Sequence, residues 1–286
     1  MKKMTVPFLL VYIAYASTTG CGSPTSPSDT TAVHAGANLG ENLIETNLTY
    51  NPDTQYVAVP IDTLYYNLHA EINGSYQQVK DYCLQQRNQL ARNYTATDSA
   101  NRDTVILQAK KLLERLLLNG MFHHWYGTEW DFNGYTAIPR NGKVACGYFI
   151  STTLRHAGFN LNRYKMAQQT GLSGARTLRF DDSIYYFKNT EVESTRKKLL
   201  ATLTEGLYFA GLSFHVGYLL IRKNEVFFIH SNYIDAKGVM MEKLIDSEAF
   251  AQTTGCYVVN VSGNRKLLEK WIKNDTIPII TDKDLR

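Results

Sequence analysis

The order of patterns along the chain predicts an α+β fold with an antiparallel sheet. Through residues 75–120 apolar side chains recur at spacings of three and four, the helical period. After Gly206 strand-like apolar runs take over. Two of them, 214–221 and 225–230, are joined by a short polar turn at 222–224. Helices followed by strands, without alternating βα units, give this class.

Taken in order, residues 36–60 read as irregular, Gly/Asn-rich at first and carrying Pro52 and Pro60. Residues 75–91 place Val79, Cys83 and Leu84, with Leu90 near the end, on approximately one helical stripe. Ser99 or Asp103 caps the next helix, whose stripe is Val105, Ile106, Ala109, Leu112, Leu113, Leu116 and Leu117. Asn119-Gly120 is a stop signal. A loop rich in aromatics and glycine spans 122–142, and a helix follows at 145–157, stopped by Gly158. Residues 171–188 fit either helix or strand. Residues 191–204 read as helix, 256–261 as a strand and 267–272 as a short last helix. No internal repeat is visible.

With 286 residues, 44% hydrophobic and 20% charged, the composition is that of a folded globular chain. A net charge of +4 is small for this length, and only Arg196-Lys197-Lys198 forms a basic run, which argues against a nucleic-acid partner. The 19 tyrosines suit ordinary core and surface positions, and equally a carbohydrate or peptide groove.

The first twenty residues read as a targeting segment. Lys2 and Lys3 precede an apolar stretch at 6–16, too short to span a bilayer as a mature helix. Small residues and Cys21 follow, which resembles a bacterial lipoprotein signal, although Thr18 stands where leucine is usual. The expectation is a signal peptide at 1–20, a lipid on Cys21 and a Ser/Thr/Pro-rich tether over 21–35. Plain secretion, periplasmic or beyond the cell, is the alternative. Cys83, Cys146 and Cys256 remain, an odd number for an exported chain; Cys83 and Cys256 are a candidate disulfide pair.

Cys146 stands at the start of a predicted helix. A helix N-terminus carries partial positive charge and free N–H groups, which favour a thiolate and can hold an oxyanion. A lone cysteine is more often a buried core residue. The histidines shift that balance. With Arg222 opposite Glu225 in a hairpin, Gly217 falls opposite His230 and His215 opposite Asn232. His215, His230 and Asn232 then share one sheet face, and Gly217 leaves room beside His230. A general base needs a third group to orient it, a role for His230 or Asn232. The cluster Trp125, Tyr126, Trp130, Phe132 and Tyr135 either lines a groove near Cys146 or packs beneath the sheet. No HExxH or paired CxxC is present, so no zinc site is expected.

These residues stand in a familiar order. Gly127-Thr-Glu-Trp-Asp-Phe-Asn-Gly134, Ala145-Cys-Gly-Tyr-Phe-Ile150, Ala157-Gly158, Phe214-His-Val-Gly217 and Ile229-His230 resemble motifs of the NlpC-type bacterial cell-wall cysteine peptidases. The resemblance covers about one hundred residues and implies a papain-like fold, with the nucleophile-bearing helix packed on an antiparallel sheet. That domain would span 121–286, preceded by a mainly helical region at 36–120. The resemblance also implies Cys146 as nucleophile, His215 as base, His230 as orienting residue and peptidoglycan stem peptides as substrate. Ala145 and Gly147 depart from the family's Asp and Ser, and Trp130 replaces an oxyanion-site tyrosine. The expected function is an envelope-associated cysteine hydrolase, needing no cofactor and acting through a thioacyl-enzyme. A lipid or small-amide acyltransferase or deacylase, and a silent binding module, are the rivals.

Overall fold

The computed structural model describes residues 61–285. The predicted signal peptide, Cys21, the tether and segment 36–60 lie outside these residues.

Helix α1 spans Tyr76–Ala96. Ser75 caps it in a reciprocal capping box with Gln78, a device that stabilises a helix by about 1 kcal/mol. Its buried stripe is Val79, Cys83, Leu90 and Tyr94; Leu84 lies off that stripe and is exposed, a correction to the predicted face. Helix α2 spans Arg102–Leu116. Neither Ser99 nor Asp103 caps it. Asp98 instead caps the 3₁₀ turn Ser99–Asn101 that leads into it. Asn119-Gly120 does not stop the helix either. The chain passes through a π turn, Leu117–Met121, into α3, Phe122–Trp125. Asn119 is buried and donates from Nδ2 to the carbonyls of Asn67 and His69, so its polar group is spent on a loop.

Helix α4, Cys146–His156, ends at Gly158, whose φ of 102° is a left-handed stop. Helices α5 (Arg163–Ala167) and α6 (Gly171–Arg179) and strand β1 (Tyr185–Lys188) follow. The ambiguous stretch is thus helix and then strand. Helix α7 is Val192–Thr202. Strands β2 (Gly206–Leu212), β3 (Val216–Arg222), β4 (Glu225–Asn232) and β5 (Gly238–Lys243) come next, then α8 (Glu248–Ala251), β6 (Gly255–Asn260) and α9 (Arg265–Lys273).

The six strands form one antiparallel sheet in the order β1-β6-β2-β3-β4-β5. Arg222 pairs with Glu225, the predicted register, across Lys223 and Asn224. Both turn residues have positive φ, 47° and 58°, as a two-residue hairpin turn requires. Apolar side chains cover both faces. Phe209, Tyr218, Leu220, Phe227 and Ile229 join a core shared with α1, α2, α4 and α9. Tyr208, Leu219, Phe228 and Val258 join a second core with Leu199 of α7 and Phe250 of α8. Strand β2 is therefore buried along its whole length and reads as an unbroken apolar run. Among the described residues the three cysteines Cys83, Cys146 and Cys256 are free, so the candidate disulfide pair is not formed. Among these residues no helix is long and apolar enough to cross a membrane.

Candidate active site

Cys146 opens α4, and the chain ahead of it is pinned to the sheet. Gly127 and Val239 N–H groups donate to the carbonyls of Val239 and Thr128, tying the loop to β5. The Ser231 hydroxyl of β4 donates to the Val144 carbonyl at 2.7 Å, and Ala145 N–H donates to Gly134. These ties fix where the helix begins. Ala145, at the cap position, offers no side-chain acceptor, so no cap side chain occupies the first N–H groups of α4.

Gly147 has a packing reason. A Cβ there would lie 2.1 Å from the Ala167 carbonyl oxygen at the end of α5. The serine of the family motif would not fit in this position.

Burial pushes the half-buried Cys146 thiol up, while the main-chain N–H groups of Val216, Gly147 and Cys146 itself pull it down. The resting thiol is therefore protonated at neutral pH. The helix start does not by itself make a standing thiolate, as the sequence suggested.

His215 immediately precedes β3, and its Nε2 lies 2.8 Å from Nδ1 of His230 in β4. Their rings meet edge to face, 5.0 Å between centroids. The room for this comes from Gly217. A Cβ there would fall 2.4 Å from the Phe228 ring and 3.0 Å from the His230 Cβ. His230 Nε2 in turn lies 3.0 Å from Oε1 of Glu242 in β5. Glu242 pairs across the strands with Phe228, two residues from His230, so the contact is the diagonal one of an antiparallel ladder. His230 is wholly buried, and Glu242 is 4% exposed.

This run dictates tautomers. An ionised carboxylate only accepts, so His230 donates from Nε2 to Glu242 and presents a lone pair at Nδ1. His215 must then donate from Nε2, which leaves its Nδ1 as a lone pair, the form a general base needs. Burial, and then the neighbouring His230, hold His215 well below its ordinary value. Burial takes His230 down to about 3. Burial also raises the Glu242 carboxyl, against the pull of the Ser247 hydroxyl and of Lys237. Both imidazoles are neutral at pH 7, as this donor–acceptor order requires.

Cys146 and His215 line the same cleft, of about 730 Å³, with Trp130 and Tyr233 on its walls. The Tyr233 ring packs edge-on against His215, 5.1 Å between centroids, and its hydroxyl donates to Gln252 at 2.9 Å. Trp130 stands 6.3 Å from Tyr233, ring to ring.

The sequence-derived candidates thus separate. His230, and not Asn232, meets His215. Asn232 is buried; its Oδ1 accepts from the Ile234 N–H and its Nδ2 lies against the Met240 sulfur, so it shapes the turn after β4. The aromatic cluster also divides. Trp130 and Phe132 line the cleft, whereas Trp125 is buried and donates to the Tyr76 hydroxyl. Two contributors escaped the sequence reading, Glu242 and Tyr233. The signal for Tyr233 is its place next to Asn232, just past a strand carrying a candidate histidine. Glu242 had no signal short of the β4–β5 register. Among the described residues no group of three His, Cys, Asp or Glu side chains is arranged to hold a metal ion. No protein-family model, curated protein or solved structure matches the chain.

Proposed function

We propose that the protein is a cysteine hydrolase of papain-like type, a divergent relative of the NlpC-type peptidases, cleaving an amide or peptide bond. One observation carries the proposal: a buried His215–His230–Glu242 hydrogen-bond run ends in the cleft that also holds a helix-starting cysteine. His215 Nδ1 takes the Cys146 thiol proton as sulfur attacks the carbonyl carbon. Main-chain N–H groups at the start of α4, with Trp130 at the cleft wall, receive the oxyanion. His215 then protonates the departing amine as the C–N bond breaks. Water, deprotonated by His215, cleaves the thioester and restores the thiol. His230 orients the base, and Glu242 stabilises the imidazolium that forms between these steps.

The substrate that the resemblance implies is a peptidoglycan stem peptide, met in the cell envelope by a chain held there through a lipid on Cys21. The test compares the purified wild type with Cys146→Ala on soluble peptidoglycan fragments, with products read by mass spectrometry. New amine and carboxyl termini from the wild type alone support the reading. Equal products from both proteins refute it. The rival reading, a binding module that keeps the cleft without turnover, draws on the burial that raises the Cys146 thiol.

A further inference from the structure

The cleft carries a statement about its occupant. Its walls are aromatic: Trp130, Phe132, Tyr148, Phe214 and Tyr233. Two of these are far more exposed than apolar rings usually are, Phe132 at 80% and Phe214 at 93%. They sit in the cleft beside the reactive pair and are not scattered over the surface. Apart from Cys146, His215 and the tyrosines, the polar side chains lining it are neutral amides, Gln168, Gln169 and Gln252. Among the described residues no Asp, Glu, Lys or Arg lines this cleft. A cation that stacks on one of the lining rings is already engaged. Arg163 stacks on Tyr148 and Tyr164 and donates to the Tyr135 carbonyl.

A charged group entering such a cleft loses water and finds no counter-ion, whereas an apolar chain buries the exposed rings. We infer that the cleft selects an acyl donor that is uncharged and apolar around the scissile carbonyl, either an alkyl acyl chain or an aromatic aminoacyl residue. Acidic and basic residues on that side are rejected. This deepens the hydrolase reading and rests on it for turnover. It narrows the peptide substrates open to the protein: within a stem peptide the acidic and basic acyl groups would be poor and only the alanyl carbonyls remain, while an alkyl or aromatic acyl group outside peptidoglycan would be a better one.

The experiment uses four coumarylamides: octanoyl, N-acetyl-phenylalanyl, N-acetyl-glutamyl and N-acetyl-lysyl. Turnover is measured with the full-length wild type, and binding with Cys146→Ala by tryptophan fluorescence. Octanoyl or phenylalanyl should exceed both charged amides by roughly 100-fold, in kcat/KM and in affinity. The better of the two neutral probes tells an alkyl chain from an aminoacyl side chain. Gln168→Arg, at an exposed position on the cleft, should improve the glutamyl amide about tenfold relative to octanoyl. Absence of turnover with the same affinity ranking would sink the hydrolase reading and leave the cleft preference standing. Charged amides bound within tenfold of the neutral ones would overturn the inference, as would no binding of any probe.

Discussion

Glu242 makes the sharpest prediction, because it acts two hydrogen bonds away from the nucleophile's base. Glu242→Gln keeps an acceptor near His230 Nε2 and removes the charge. A charge-assisted hydrogen bond is about twice as strong as a neutral one, a difference of about 1–1.5 kcal/mol. Each 1.36 kcal/mol is a factor of ten in rate, so Cys146 reactivity should fall about tenfold. Glu242→Leu removes the acceptor. His230 is then free to carry its proton on Nδ1, and His215 can turn an N–H toward the thiol instead of a lone pair. Loss of a tautomer-setting carboxylate costs about 10⁴ in a serine-protease triad, and outer hydrogen-bond partners of metal ligands about 10–100. The structure puts Glu242 between these cases, so a loss of roughly 100- to 1,000-fold is expected. The assay needs no substrate. Iodoacetamide alkylation of Cys146 is followed against pH and mapped by mass spectrometry. Cys83 and Cys256 should contribute little, because burial pushes both thiols to about 12. A folded Glu242→Leu protein whose Cys146 reacts at the wild-type rate, with an unchanged pH profile, would refute the relay.

Three further outcomes follow from the same geometry. Gly217→Ala drives a Cβ to 2.4 Å from the Phe228 ring and should cost about 1–3 kcal/mol in urea unfolding, with slower Cys146 alkylation as His230 is displaced. Gly147→Ala, 2.1 Å from the Ala167 carbonyl, should destabilise at least as much, because backbone cannot rotate away; a neutral result would mean that α4 and α5 do not approach as described. Stability should fall in acid. The unfolded histidines take up protons as pH drops below about 6.5, while His215 and His230 stay neutral in the folded protein, which costs up to about 1.4 kcal/mol per pH unit per histidine. Glu242, raised when folded, binds its proton earlier in the folded state than in the unfolded one and returns part of that loss. The urea midpoint should therefore decline from about pH 7 to about pH 5, and a flat profile would contradict the burial of both rings.

The β3–β4 hairpin was legible because three signals agree there: two apolar runs, a short polar turn and a glycine facing a histidine. Their register alone brought His215 and His230 to one face. The α+β class and the antiparallel sheet were legible for the same reason. Glu242 was not. Strand β5 is short, and a glutamate near its end reads as a solvated edge residue until pairing with β4 turns it inward. Asn232 misled in the opposite sense. It stands two residues from His230 along β4, but the β3–β4 ladder ends at Tyr218 and Ile229, short of His215, and its amide is consumed by the turn to Ile234 and by the Met240 sulfur. Asn119-Gly120 carries the usual helix-stop chemistry, yet the buried amide finds loop carbonyls and Gly120 packs on Ile72, so the helix continues through a π turn. Local stop signals lose where tertiary partners satisfy the same polar group.

In the proposed reaction Cys146 forms a thioacyl intermediate with His215 as its base. Intact-mass spectrometry after exposure to octanoyl p-nitrophenyl ester tests it most directly. The wild type should gain one octanoyl group mapped to Cys146. Cys146→Ala should gain none there, and His215→Ala should acylate at least about 100-fold more slowly. An adduct absent from wild-type Cys146, or formed equally fast without His215, would rule out this chemistry.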